Sequence, residues 1–113
     1  MSQPPVVAQI GQPQPPDTFW PPPAPQLGQQ VYYRLDASDV RAIHRQRLAV
    51  SLRAAPVRAG DVFPALIVRV SGSTPDAPCN LHVALDGPDT YWAQQVVCGT
   101  ADGTWAWPAR QGA

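Results

Sequence analysis

From Gln29 to Leu35 (QQVYYRL) polar and large apolar side chains alternate, which predicts a first strand rich in β-formers. Asp36-Ala37-Ser38-Asp39 follows as a helix start: Asp36 or Ser38 can cap, and Asp39 sets negative charge near the positive end of the dipole. The helix is expected over residues 37–50. Val40, Ile43, Arg47 and Val50, or Ile43 and Leu48, make only a partial apolar stripe, so it reads as a surface helix covering one side of a sheet. After the turn at Ala59-Gly60-Asp61, residues 62–70 (VFPALIVRV) form the strongest strand pattern, with Pro64 marking an edge or a bulge. Residues 71–78 are a polar loop. Cys79–Asp86 alternates with Leu81, Val83 and Leu85 on one face, Gly87-Pro88-Asp89 turns the chain, and Thr90–Cys98 returns. A last short strand, Thr104–Pro108, is stopped by proline.

Four or five short strands punctuated by Gly and Pro predict a mainly β fold with one helix. The preferred architecture is a small SH3-like antiparallel β-barrel with an inserted surface helix, and an OB-like five-strand barrel is the alternative. Before it lies a different kind of chain. Nine of the fifteen prolines fall in residues 1–25, where Asp17 is the only charged side chain. Proline fixes φ and removes donors, so this stretch favours polyproline II and would reach about 80 Å over residues 1–27 if fully extended. It also carries Val6, Val7, Ile10, Phe19, Trp20 and Leu27, which a purely disordered tail would lack. The expected organisation is an extended Pro/Gln-rich arm at 1–27, a barrel domain at 28–110 and a tail at 111–113. The arm's aromatics either rest on their own domain or lie along another subunit.

The charge balance narrows the chemistry. Eight arginines and eight aspartates cancel, with no lysine and no glutamate, so no general nucleic-acid binding is expected. No run is long and apolar enough for a transmembrane helix, and the N-terminus lacks the regions of a signal peptide. Paired carboxylates, phosphate loops and nucleophile elbows are absent, so the chain is not expected to be an enzyme or to hold a cofactor or metal. Asp61, Asp86, Asp89 and Asp102 each lie next to Gly or Pro and read as turn-shaping residues. If the hairpin is regular, residue numbers summing to 177 face each other, which pairs Leu85 with Trp92 and makes Cys79 and Cys98 a candidate disulfide. The alternative is two reduced cysteines packed as small hydrophobes.

Two surfaces stand out as candidates for binding. Arg41, Arg45, Arg47, Arg53 and Arg58 fall in a stretch without a single acid, and Arg41, His44, Arg45 and Leu48 share a helix face. That face is either a solvated surface, a docking patch for an acidic protein, or a phosphate site. Tyr32, Tyr33, Tyr91, Trp92, Trp105 and Trp107 all come from expected strands. Trp105 and Trp107, two apart, share a face and read as core or as an aromatic patch.

The runs Gly60–Val70, Asn80–Asp86, Asp89–Ala93 and Gly103–Pro108 resemble small proteins of bacteriophages that infect actinobacteria, which commonly end in a Gly-Thr-Trp-His-Trp-Pro-like signature. Ala106 stands at the His position here. The resemblance spans about 50 residues and implies phage origin. It leads to the expectation of a virion structural protein in the capsid, a decoration or minor capsid protein. Its partners would be the major capsid protein and neighbouring copies, with a homo-oligomer as one arrangement. Phe19, Trp20, Arg41, Arg45 and Arg47 would make the contacts. The alternative is a nucleotide-binding or host-defence-countering module with Tyr91, Trp92, Trp105, Trp107 and an arginine around a pocket.

Overall fold

The computed structural model describes residues 23–108. In chain order the elements are β1 (Gln30–Arg34), α1 (Ala37–Ala49), β2 (Val62–Val70), β3 (Cys79–Ala84), β4 (Thr90–Val96) and β5 (Trp105–Ala106). The five strands form one antiparallel sheet in the order β4-β3-β2-β1-β5. Every strand and the helix lie where the alternation pattern put them, within two residues at their ends. The described residues are mainly β with one helix.

The sheet is open, and a closed barrel is not formed. β5 is two residues long because Pro108 offers no N–H to extend it. Across the gap between the two edges, a parallel bridge joins Cys98 to Trp105. There the Gly99 N–H donates to the Trp105 carbonyl at 2.9 Å, and the Trp105 N–H donates to the Val97 carbonyl at 3.1 Å.

One face of the sheet carries the core. Val31, Tyr33 and Leu35 from β1 and its end, Ala65 and Ile67 from β2, and Leu81, Val83 and Leu85 from β3 and its end all point inward, with Ala93 and Trp105. Ile43 of α1 and Val57 close this layer. Each such aliphatic side chain contributes about 1.5–3 kcal/mol through burial. Trp105 is fully buried and Trp107 packs edge-on against it at 5.1 Å, so this pair is core.

The β3–β4 hairpin departs from the expected register, and this changes the molecule's surface. Ala84 faces Thr90, Val83 faces Tyr91 and His82 faces Trp92, so facing numbers sum to 174 instead of 177. The loop is five residues long (85–89), longer than the Gly87–Asp89 turn read from the sequence. An odd slip inverts every side chain of one strand. Tyr91 therefore points inward, and Trp92 points outward at 54% exposure. A bulge follows, in which Gln94 and Gln95 stand against Asn80 alone. Gln95 adopts φ +54°, and its N–H donates to the buried Asn80 Oδ1 at 2.9 Å. Past the bulge Cys79 faces Val96, not Cys98, and the candidate disulfide is not formed. Cys79 is a buried free thiol and Cys98 an exposed one. Burial pushes the Cys79 thiol up from its ordinary pKa.

Candidate interaction surfaces

The helix is fastened to the sheet by polar groups. Asp36 and Asp39 form a reciprocal cap: the Asp39 N–H donates to Asp36 Oδ1 at 2.8 Å, and the Asp36 N–H donates to Asp39 Oδ2 at 2.9 Å. Asp39 is buried, and it accepts two further bonds. The Tyr33 hydroxyl donates to its Oδ2 at 2.6 Å, and the Tyr91 hydroxyl donates to its Oδ1 at 2.7 Å. Burial, then the hydrogen bond to Asp39, drives both phenol pKa values far above the ordinary value. One carboxylate thus ties together β1, α1 and β4. Burial opposes ionisation of Asp36, but bonds from the Asp39 and Ser38 groups outweigh it and hold the carboxyl below its usual range.

Two turns further on, Arg47 is buried and grips the hairpin loop. Its Nε donates to Asp89 Oδ2 at 2.8 Å, Nη2 to Asp89 Oδ1 at 3.2 Å, and Nη1 to the Ala55 carbonyl at 2.9 Å. This forked contact lowers the Asp89 pKa. Next to it Gln46 Nε2 donates to the Thr90 carbonyl at 2.8 Å. The buried stripe of α1 is therefore Asp39, Ile43 and Arg47, at i, i+4 and i+8. Leu48 and Val50, which the sequence assigns to an apolar stripe, are 79% and 71% exposed. Arg47, expected to meet a partner, has its charge committed inside the molecule. Asp89, expected only to shape a turn, is its counter-ion.

With Arg47 withdrawn, the outward side of α1 keeps Arg41, His44 and Arg45 exposed beside Leu48. A groove of about 350 Å³ runs along this side, walled by His44, Leu48, Leu52, Arg53, Ala54 and Pro56, with Arg47 at its base. It joins an apolar floor to a basic rim.

The sheet's outer face is a second surface, and it follows from the hairpin register. Gln30 faces Leu66, Leu66 faces His82 and His82 faces Trp92, so these four make one continuous row across β1, β2, β3 and β4. Beside it Tyr32 faces both Pro64 and Ala106. Leu66 is 46% exposed and Tyr32 38%. Neither row contains a full charge, and Arg34, at the margin, turns its Nη1 to the Gly60 carbonyl at 3.1 Å. A depression of about 210 Å³ lies among Gln30, Pro64, Leu66, His82 and Ala84, and a second of about 120 Å³ lies beyond Tyr32, between Val62, Thr104 and Ala106.

No family model, no curated protein and no solved structure matches this chain. Its surfaces are left to be read on their own chemistry.

Of the residues singled out from sequence, Arg41 and Arg45 lie together on an exposed face, while Phe19 and Trp20 fall outside the described residues. The four aromatics of the alternative pocket do not line one cavity. Trp105 is core, Tyr91 is bonded to Asp39, and Trp92 is on the opposite side of the sheet. Sequence reasoning missed the Gln30–Leu66–His82–Trp92 row. A signal existed: Leu66 and His82 alternate out of phase with the core residues Ile67, Leu81 and Val83, but placing Trp92 beside them required the hairpin register. Among the described residues no helix is long and apolar enough to cross a membrane.

Proposed function

We propose that this protein is a non-catalytic attachment module of a phage virion, a decoration or minor capsid protein that binds the major capsid protein and neighbouring copies. The observation that carries the attachment reading is the groove beside α1. His44 and Arg53 line it around an exposed Leu48, Arg41 and Arg45 are exposed beside it on the same helix, and there is no acid in the stretch 40–60. Basic rims around a small apolar floor suit an acidic protein surface that offers one or two apolar side chains. Shell residues of that character would dock there, and Phe19 and Trp20 on the arm would add a second contact. The strand order β5-β1-β2-β3-β4 and the bridge from Cys98 to Trp105 support an SH3-like arrangement in which closure is only begun. The resemblance of the Trp105-Ala106-Trp107-Pro108 end to actinobacteriophage proteins supports the virion setting.

Protein analysis of purified particles of the encoding phage tests this reading. The chain is expected at stoichiometric level, and its absence from particles overturns the virion role. Charge reversal by Arg41→Glu with Arg45→Glu is expected to abolish rebinding to stripped particles while the fold stays intact. Unchanged rebinding would remove the helix face from the contact.

A further inference from the structure

We propose that in the free protein the chain's own arm, through Phe19–Pro22, lies across the outer face of the sheet and covers the row Gln30–Leu66–His82–Trp92. This goes beyond the virion reading and does not depend on it.

The face asks for a cover of a particular kind. Trp92, Leu66 and Tyr32 are exposed together with Pro64, and the rows they form hold no full charge. Two shallow depressions flank Tyr32 and Pro64. Rigid aromatic walls with shallow depressions between them receive proline-rich segments, because a polyproline II chain has little conformational freedom left to lose. Residues 18–25 of this chain are Thr-Phe-Trp-Pro-Pro-Pro-Ala-Pro, without a charge, and on the sheet side Arg34, in the smaller depression, is a charge with its Nη1 already bonded to the Gly60 carbonyl, so pairing the two surfaces desolvates little charge.

The root of the arm is fixed beside this row. Gln26–Gln29 is a tight turn: the Gln29 N–H donates to the Gln26 carbonyl at 3.2 Å, and the Gln26 N–H to Gln29 Oε1 at 2.8 Å. Gly28 supplies the positive φ of +88° that the turn's third position needs, and its N–H donates to the Ile67 carbonyl at 2.8 Å. The turn reverses the chain at the head of β1, next to Gln30 and Leu66. Pro25 is buried, so contact with the domain starts within the stretch read as arm. From Gln26 back to Trp20, six residues of polyproline II span about 19 Å. The row from Gln30 to Trp92 crosses three strand spacings, about 14 Å. Trp20 therefore reaches the far end of the row within its own molecule. A tether this short holds the segment at an effective concentration in the millimolar range, which favours it over a second copy in dilute solution.

Hydroxyl-radical footprinting of the full chain, read residue by residue by mass spectrometry, tests the assignment. Phe19→Ala with Trp20→Ala is expected to raise oxidation of Trp92, Leu66 and Tyr32 about five-fold, as a tethered cover occupied most of the time is removed. Buried Trp105 serves as the unchanged reference. In the reciprocal variant, Trp92→Ala, oxidation of Trp20 is expected to rise by a similar factor. Protection in the unaltered chain is expected to be independent of protein concentration. Equal rates at Trp92 with and without the arm aromatics overturn the proposal. Protection that disappears on dilution also overturns it, because a second copy is then the cover. Neither result bears on whether the protein is present in particles.

Discussion

The seam between α1 and the β3–β4 hairpin and the outer face of the sheet contradict the simple rule of polar outside and apolar inside. The seam is buried and built from two carboxylates, two phenols and a guanidinium, every one of them bonded. The outer face is exposed and built from Trp, Leu, Tyr and Pro. Satisfied polar groups in the interior specify one placement of the helix, at the risk that losing any member strands the rest. Unsatisfied apolar surface on the exterior does nothing for the fold, and it gains value only when something covers it. The seam is therefore where substitutions should harm stability, and the outer face is where they should harm contacts.

The heaviest loss is expected from Asp39→Ala. It removes half of the reciprocal cap and leaves the buried Tyr33 hydroxyl and the Tyr91 hydroxyl without an acceptor. With about 1 kcal/mol for the cap and about 1–3 for a stranded buried group, the total is about 4 kcal/mol. That is a large share of the stability of so small a domain. Asp39→Asn keeps one carbonyl acceptor and is expected to cost about half as much. Denaturant unfolding followed by circular dichroism measures both, and equal costs for Ala and Asn would show that the phenols do not depend on the carboxylate.

Asp89→Ala comes next, at about 3 kcal/mol, because it leaves the Arg47 guanidinium buried with only the Ala55 carbonyl. Arg47→Met should cost less. The side chains are 8% exposed for Arg47 and 14% for Asp89, so the carboxylate left behind has the easier route to water. The order of these two variants in thermal unfolding is the informative result. If Arg47→Met is the worse of the two, the guanidinium is holding the loop through Ala55 more than through Asp89.

The same seam predicts a response to alkali. Tyr33 and Tyr91 have folded pKa values raised by burial and by the Asp39 hydrogen bonds. Their neutral forms therefore support the fold fully below the ordinary phenol pKa of about 10, and that support drains away as pH rises beyond it. A spectrophotometric phenol titration should find Tyr33 and Tyr91 withheld until tertiary structure is lost, then released together. Release of either phenol while the fold persists would place it outside the seam.

Much of this fold could be read from alternation alone, and the failures have specific causes. β2 and α1 were legible because Val62–Val70 alternates over nine residues and Asp36 announces a cap. The seam was not legible, because Arg47 and Asp89 are 42 positions apart in the chain and each has an ordinary local reading. An arginine among four others looks like surface charge, and an aspartate after Gly-Pro looks like a turn. The outer face was hidden by register. Facing numbers that sum to 174 instead of 177 are an odd slip that inverts Trp92 and Tyr91, and composition carries no signal for it. The Gln95 bulge, which separates Cys98 from Cys79, depends on the Asn80 side chain reaching the Gln95 N–H, a contact across two strands.

The smallest effect on stability is expected at the outer face, where it sharpens the contrast most. Trp92 faces His82 across the strands and leaves 54% of its surface open, so Trp92→Ser gives up a pair contribution of about 0.2–1 kcal/mol. That is several-fold below Asp39→Ala, although tryptophan is the larger and more apolar side chain. A thermal melt places the two variants on one scale. A Trp92→Ser loss as large as that of Asp39→Ala would mean that the contact between arm and sheet contributes far more to folding than the roughly five-fold protection proposed for it. Repeating the substitution alongside Phe19→Ala and Trp20→Ala then separates the sources. Losses that add assign the cost to the sheet itself, and losses that fail to add assign it to the contact between arm and sheet.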